Sequence, residues 1–457
     1  MKKGFIILLC SLLLVVSLAT GCGGGGATGG GAAVTTAAAT TAAAEAQATT
    51  AAATTAAATA GKTEANLTIW VYGWEKASAD KVAEDAVSYL EDTGTKVEVV
   101  PVASDNYSTK IQATLAGGEN PDLAFIDAGY MSIQLASRDK IIELDDYGVN
   151  DYKDRFYESV WDTMTYNGKV HGLRITANNL ALFYNKDMFD KIGLDYPTEA
   201  WTWDDLREAA IKLTDHAQNI YGLDLPIYNA DGGYTWTWLP FLWQNNGVLL
   251  NDDRTEAIFN SPEGVEALEF WKTMVQTDES VPLQAPPSGI DRFSSEMIAM
   301  SINGPWMLNP YVNDPDFGSK FDVAPLPQRK VRSTVVGGEG IVIFSNTKYP
   351  AEAYNYLVHL TCSEFTEVFW ENWITIPPQP AYVDFYKDLA GFGPYIQVFS
   401  DQMSVSQTRQ FTPSWPQITN AIGLGLQDYM FDRTDDAQAA LDQTVLDVNK
   451  ILKEDNN

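Results

Sequence analysis

From residue 66 the stretch NLTIWVYGW is an unbroken β-branched and aromatic run, which predicts a buried strand over 66–74. Residues 78–90 then carry apolar positions at helical spacing, TKVEVVPV (95–102) reads as a second strand, 107–117 as a second helix, and PDLAFIDAG (121–129) as a strand ending in a turn. Strands alternating with helices predict βαβ units, and so an α/β fold with a largely parallel sheet. In sheets of this kind ligands lie beyond the carboxyl ends of the strands, which singles out Trp74, Glu75, Asp127 and Tyr130. A blander role competes at each: packing at a domain edge for Trp74, a solvated loop or helix cap for Glu75 and Asp127.

Further along, PTEAWTWDDLREAAIKLTD (197–215) sets Thr202 before an amphipathic run with Asp205 three residues on, a near capping box that predicts a helix start. Trp201 and Trp203 flank that cap and are assigned to packing. GGYTWTWLPFLWQNNG (232–247) alternates Tyr234, Trp236 and Trp238. They form one face of a core strand, or they line a cleft where flat rings meet a flat ligand. Phe241 and Trp243 open an apolar run and are expected in the core.

The amino terminus has a different pattern. Lys2 and Lys3 precede an apolar run from Phe5 to Val16 that is too short to cross a bilayer, the layout of a secretory signal over 1–21. LATGC, ending at Cys22, resembles the lipobox of bacterial lipoproteins, with Ala19 where leucine is usual; the resemblance implies lipidation of Cys22. Residues 23–60 are almost wholly Gly, Ala and Thr, a composition unable to bury enough apolar surface to order itself. The segment 22–65 is therefore read as a lipidated, disordered tether, with a reach of roughly 35 Å as a flexible coil.

The 457 residues exceed what one core supports, which predicts two domains. A formal charge of -30 repels phosphate backbones and argues against nucleic acid. With Cys10 in the signal and Cys22 acylated, Cys362 is the only thiol of the folded part, so no intramolecular disulfide is expected. His171, His216 and His359 lie far apart, and no nucleophile elbow, HExxH, Walker A or dinucleotide fingerprint occurs; neither a metal nor a cofactor is predicted.

Four separated stretches carry a resemblance: NGKVHGLRITANNLALFYNKDMFDKIGL (167–194), MIAMSINGPWMLNP (297–310), VAPLPQ (323–328) and GGEGIVIFSNTKYPAEAYNYLVHLTCSE (337–364). In this order they resemble the bacterial extracellular solute-binding proteins of the maltose-binding-protein type, the sugar-capturing subunits of ABC importers. The resemblance covers the chain from about residue 66 onward. It implies a two-lobe periplasmic-binding-protein-like fold (type II), with a ligand cleft between lobes joined by hinge strands. The implied limits are 66–177 plus 324–375 for lobe 1 and 178–323 plus 376–457 for lobe 2. Asn178 stands where some members of the family carry an acidic residue, which still suits a hydroxyl-rich ligand. The implied partners are a carbohydrate, the permease subunits and, through the lipid, the membrane; the protein is expected to act as a monomer outside the cytoplasm.

A pyranose has apolar C–H faces and a belt of hydroxyls, so its site needs aromatic plates and short polar groups. The resemblance matches Tyr234 to Trp238 and Trp306 to stacking positions, and Trp415 to a late aromatic contact. Glu339, beside Gly338, either accepts from hydroxyls or is merely exposed. Arg409 and Trp373 are weaker candidates, Arg409 because it has many carboxylates to pair with. The rivals are a tethered glycoside hydrolase, for which two acids flanking a bond are the requirement, a binder of a polyamine or peptide, and a tethered adhesion protein without an enclosed cleft.

Overall fold

The computed structural model describes residues 64–72, 76–103, 107–117, 120–228, 232–372, 374–389 and 391–455. The signal, Cys22, tether residues 22–63, Trp74, Glu75 and Trp373 lie outside the described residues. The last tether residue is corrected: Ala65 is buried and its carbonyl accepts from the Lys96 amide at 2.8 Å, so it belongs to the folded part beside the strand Lys96–Val102. Among the described residues no helix is long and apolar enough to cross a membrane.

Of thirteen strands among the described residues, nine build two main sheets and four form two-stranded pairs. The first takes β1 (Asn66–Tyr72), β2 (Lys96–Val102), β3 (Leu123–Asp127), β6 (Gly172–Arg174) and β12 (Glu339–Ile343) in the order β2-β1-β3-β12-β6. The second orders β7 (Ala181–Asn185), β8 (Tyr221–Asp224), β9 (Ile298–Asn303) and β10 (Phe321–Ala324) as β10-β7-β9-β8. β4 (Thr165–Tyr166) and β5 (Lys169–Val170) form a hairpin whose turn residues Asn167 and Gly168 have positive φ, as an Asn-Gly turn requires. β11 (Thr334–Val335) pairs with β13 (Ser406–Gln407) where the chain passes between the sheets.

The βαβ pattern holds at the amino end, where β1 runs parallel to both neighbours. Helix Lys76–Thr93 joins β1 to β2, burying Ala79, Val82, Ala86 and Tyr89 along one stripe; helix Tyr107–Gly117 follows β2. Both main sheets are nonetheless mixed. β12 is antiparallel to β3 and β6, and β7 is antiparallel to β9 and β10. Strands that return from the other sheet arrive from the opposite end, which the local helix-strand rhythm does not encode.

Two buried clusters fill the molecule, and β7 serves both. Ala181 and Phe183 point into the cluster that lies around the first sheet, whereas Leu182 and Tyr184 point into the one built on Trp203, Trp238 and Trp271. The Thr202–Asp205 capping box forms as expected: the Thr202 amide donates to Asp205 Oδ2 at 2.8 Å and the Asp205 amide to Thr202 Oγ1 at 3.3 Å. It starts helix Trp203–Leu213.

The aromatic stretch after residue 232 is helix Gly232–Gln244, not a strand. At 3.6 residues per turn, positions two apart point to opposite sides and positions four apart to the same side. Tyr234 and Trp238 accordingly share a buried face, against Trp271 and Phe259, and have no exposed surface. Trp236 alone faces outward. This corrects the expectation for Tyr234 and Trp238, which are core residues. Phe241 and Trp243 are buried as expected.

Candidate functional site

Between the sheets lies a cleft of about 1310 Å³. Eight of the sequence candidates line it, among them Asp127, Asn178, Trp236, Trp306, Glu339 and Trp415. Tyr130 and Arg409 complete them.

Its floor is the end of the first sheet. Asp127 closes β3 and Glu339 opens β12, and the two are register partners on adjacent antiparallel strands. Arg174, which ends β6 and is 1% exposed, lies behind them. Its Nε donates to the Thr176 carbonyl at 3.1 Å, Nη1 to Thr163 Oγ1 at 2.8 Å, and Nη2 to the Gly337 carbonyl. The Thr176 hydroxyl donates to Glu339 Oε2, while the Glu339 amide donates to Thr176 Oγ1 at 2.8 Å.

Charge here is dense and shielded from water. Burial pushes the Glu339 carboxyl up to about 7, against the pull of the Thr176 hydrogen bond, with the Asp127 charge adding to the rise. Burial likewise raises Asp127, with Arg409 and then Arg174 pulling it back. Burial also brings both guanidiniums, Arg174 and Arg409, down to about 10. Two acids and two bases thus hold one another close to neutrality, which is how buried charges persist.

The walls are aromatic. Trp236 stands beside the hinge because Gly337 has no side chain: a Cβ there would lie 2.4 Å from Trp236 Cη2 and 2.6 Å from Asn178 Oδ1. Asn178 and Gly337 exchange backbone hydrogen bonds, each 2.9 Å, where two crossing segments meet. Trp306 sits in the turn Pro305–Met307 after β9, 39% exposed, its ring folded over Gly304 where a Cβ would come within 2.0 Å. Trp415, at the start of helix Trp415–Met430, is almost wholly buried yet lines the cleft. The Arg409 guanidinium lies 4.3 Å from the Trp236 ring centre and 4.6 Å from that of Phe411.

Three buried polar atoms of this wall have no hydrogen-bond partner: Asp127 Oδ1, Asn178 Oδ1 and Arg409 Nε. Two are acceptors and one a donor, and leaving such groups unpaired costs stability. They are what remains for a polar ligand to satisfy. Arg174 escaped the sequence reading although the signal was there, a lone cation within the otherwise uncharged run GLRITA. Gln112 and Gln134, which line one end of the cleft and pair at 2.6 Å, had no such signal.

A profile described as bacterial extracellular solute-binding protein matches residues 85–393. The chain belongs to this family. This solute-binding protein is 24% identical over 379 residues to the arabinooligosaccharide-binding protein of Bacillus subtilis, a match covering 76% of this chain and 83% of that one. Among solved structures it is similar to an ABC substrate-binding protein from Listeria monocytogenes in complex with cycloalternan, with 25% identity and a TM-score of 0.75 over 86% of this chain and all of that one. It is also similar to an ABC transporter solute-binding protein from Thermotoga lettingae bound with α-D-tagatose, with 27% identity and a TM-score of 0.72, covering 85% of this chain and all of the other. These are binding proteins, and the family is extracytoplasmic.

Proposed function

We propose that this protein captures a carbohydrate, an oligosaccharide rather than a single sugar, and delivers it to the permease of an ABC importer. The observation that carries this is the pairing, in one cleft, of the tryptophan plates Trp236 and Trp306 with the unpartnered Asp127 Oδ1, Asn178 Oδ1 and Arg409 Nε. Rings suit the apolar faces of a pyranose, and the three polar atoms suit its hydroxyls. The ligands named for the relatives support a sugar, and a cleft of this volume has room for several rings. Trp415 contributes from the cleft wall, and Trp74 and Glu75, which follow the β1 sequence, are further contacts in this reading.

The mechanism is hinge closure. Two lobes, 66–177 with 324–375 and 178–323 with 376–457, approach about the crossing segments, and ligand shifts the balance through its preference for the closed form. The protein acts as a monomer held to the membrane by lipid on Cys22, with 22–63 as tether. It is not an enzyme in this reading: the relatives are named as binding proteins, and Glu339 is tied to Thr176 and faces Arg174.

A calorimetric and thermal-shift screen of the purified protein against arabinooligosaccharides, maltotetraose, cycloalternan, tagatose, polyamines and peptides tests this. At a hundredfold excess over Kd a true ligand adds about 2.7 kcal/mol of stability. An oligosaccharide recovered intact after binding is the expected result. Cleaved sugar would bring the hydrolase forward, and a response confined to polyamines or peptides would remove the carbohydrate assignment.

A further inference from the structure

The segment 408–413 belongs to the second-sheet side of the molecule and reaches across to the first. It is tied to the former by Gln410, whose Oε1 accepts from the Leu250 amide and whose Nε2 donates to the Leu250 carbonyl, both at 2.8 Å. Arg254 Nη1 adds a bond to the Phe411 carbonyl at 3.0 Å. Toward the first-sheet side, Thr408 Oγ1 donates to the Ser159 carbonyl at 2.9 Å, and Gln134 Nε2 donates to the Pro413 carbonyl at 3.4 Å. The Phe411 ring meets the turn after β3, where a Cβ on Gly129 would stand 2.1 Å from Phe411 Cε2. Gly129 has φ of +101°, so both its conformation and the ring against it call for glycine.

The two segments of this contact repeat each other's spacing. Two residues before Gly129 stands Asp127, with its unpartnered Oδ1; two residues before Phe411 stands Arg409, with its unpartnered Nε. Phe411 lies 4.6 Å and Trp236 4.3 Å from the Arg409 guanidinium, with Trp415 farther off at 6.0 Å. An arginine packed against rings is held in direction as well as in place.

We infer that Phe411 is a positioning residue that couples approach of the lobes to the reading of ligand: its ring, seated against Gly129, orients Arg409 over Trp236 toward Asp127. The inference rests on the proposed role of this cleft. Phe411 does not itself line the cleft; it acts through Arg409. When the lobes part, the ring leaves Gly129 and Arg409 loses one of its two nearest aromatic supports. Ligand that pairs with Arg409 and Asp127 together therefore favours the approached form.

The test uses the purified full-length protein with Phe411→Leu, Arg409→Gln, their combination, and Gly129→Ala, titrated with arabinotriose and maltotetraose and measured by small-angle X-ray scattering with and without sugar. Phe411→Leu should weaken binding within the 5- to 150-fold range typical of coupled sites. Arg409→Gln should cost much less affinity in the Phe411→Leu background than in the wild type, a non-additivity that loss of packing alone does not give. Without ligand, Phe411→Leu and Gly129→Ala should both increase the radius of gyration while near-ultraviolet dichroism reports folded cores. Fully additive affinity losses, or wild-type affinity in Phe411→Leu, overturn the inference. If neither sugar binds any version, the choice of ligand has failed, and the ligand-free scattering decides: unchanged radii in both variants overturn the coupling, larger radii uphold it.

Discussion

Glu339 shows what a single residue in this cleft implies for the protein as it titrates. Its carboxyl is raised from the ordinary 4.5 to about 7, chiefly by burial, so between these values the folded protein holds a proton that the unfolded chain has lost. Where the native state binds more protons, stability falls as pH rises. Glu339 therefore costs no stability below about pH 4.5, withdraws it progressively from there to about pH 7, and is constant above. The groups facing it are Asp127 and Arg174 from neighbouring strands, Thr176 from the crossing segment, and Tyr72, whose hydroxyl feels its charge. Replacing Glu339 by Gln removes this drain. The melting temperature of the variant, taken relative to wild type at each pH, should rise between pH 5 and pH 8; a flat difference would contradict the raised value. Sequence supplied both acids of this pair as candidates, since each stands at a strand end. It did not show that Arg174 and Arg409 are the partners that compensate them, because those arginines arrive from segments distant in the chain.

At the scale of an element, helix Gly232–Gln244 shows where local pattern misleads. Alternating aromatics are the mark of a strand, yet Tyr234, Trp236 and Trp238 lie in a helix with Pro240 inside it. The burial of Tyr234 and Trp238 against Trp271 and Phe259 decides the outcome, since four-residue spacing sends both to the same core. The amino-terminal strands and helices were legible because each buries its own stripe on an adjacent partner, so local pattern and tertiary packing agree. The helix makes a sharp forecast possible. Trp236→Ala should cost binding by about 2 kcal/mol, roughly thirtyfold, with little loss of stability, as for a hot-spot ring. Trp238→Ala should do the reverse, lowering stability by about 3–5 kcal/mol through the cavity it leaves. Titration calorimetry beside urea denaturation separates them, and a Trp238→Ala protein of normal stability would show that the helix sits otherwise.

Over the whole molecule, two lobes suggest two unfolding events, because multidomain chains commonly depart from two-state behaviour. Here the connectivity opposes that. The chain passes between the sheets several times, and the passages are laced together: Ala177 and Ile376 exchange backbone bonds of 2.9 Å, Asn178 does so with Gly337, and Thr334 Oγ1 bonds both the amide and the carbonyl of Leu180 at 3.2 and 3.0 Å. Asn179 Nδ2 reaches the Phe399 carbonyl at 2.9 Å, and Gln402 bridges Leu180 and Leu326. β7 lends alternate side chains to both cores, so neither core closes without it. Losing either half strips partners from the other. Urea unfolding followed by tryptophan emission and by far-ultraviolet dichroism should therefore give coincident curves, since Trp161 and Trp370 report the first core and Trp203, Trp238 and Trp271 the second. A saturating ligand should move both curves together. An intermediate that keeps one core intact, or a ligand that shifts only one probe, would mean that the crossing segments carry no cooperativity between the lobes.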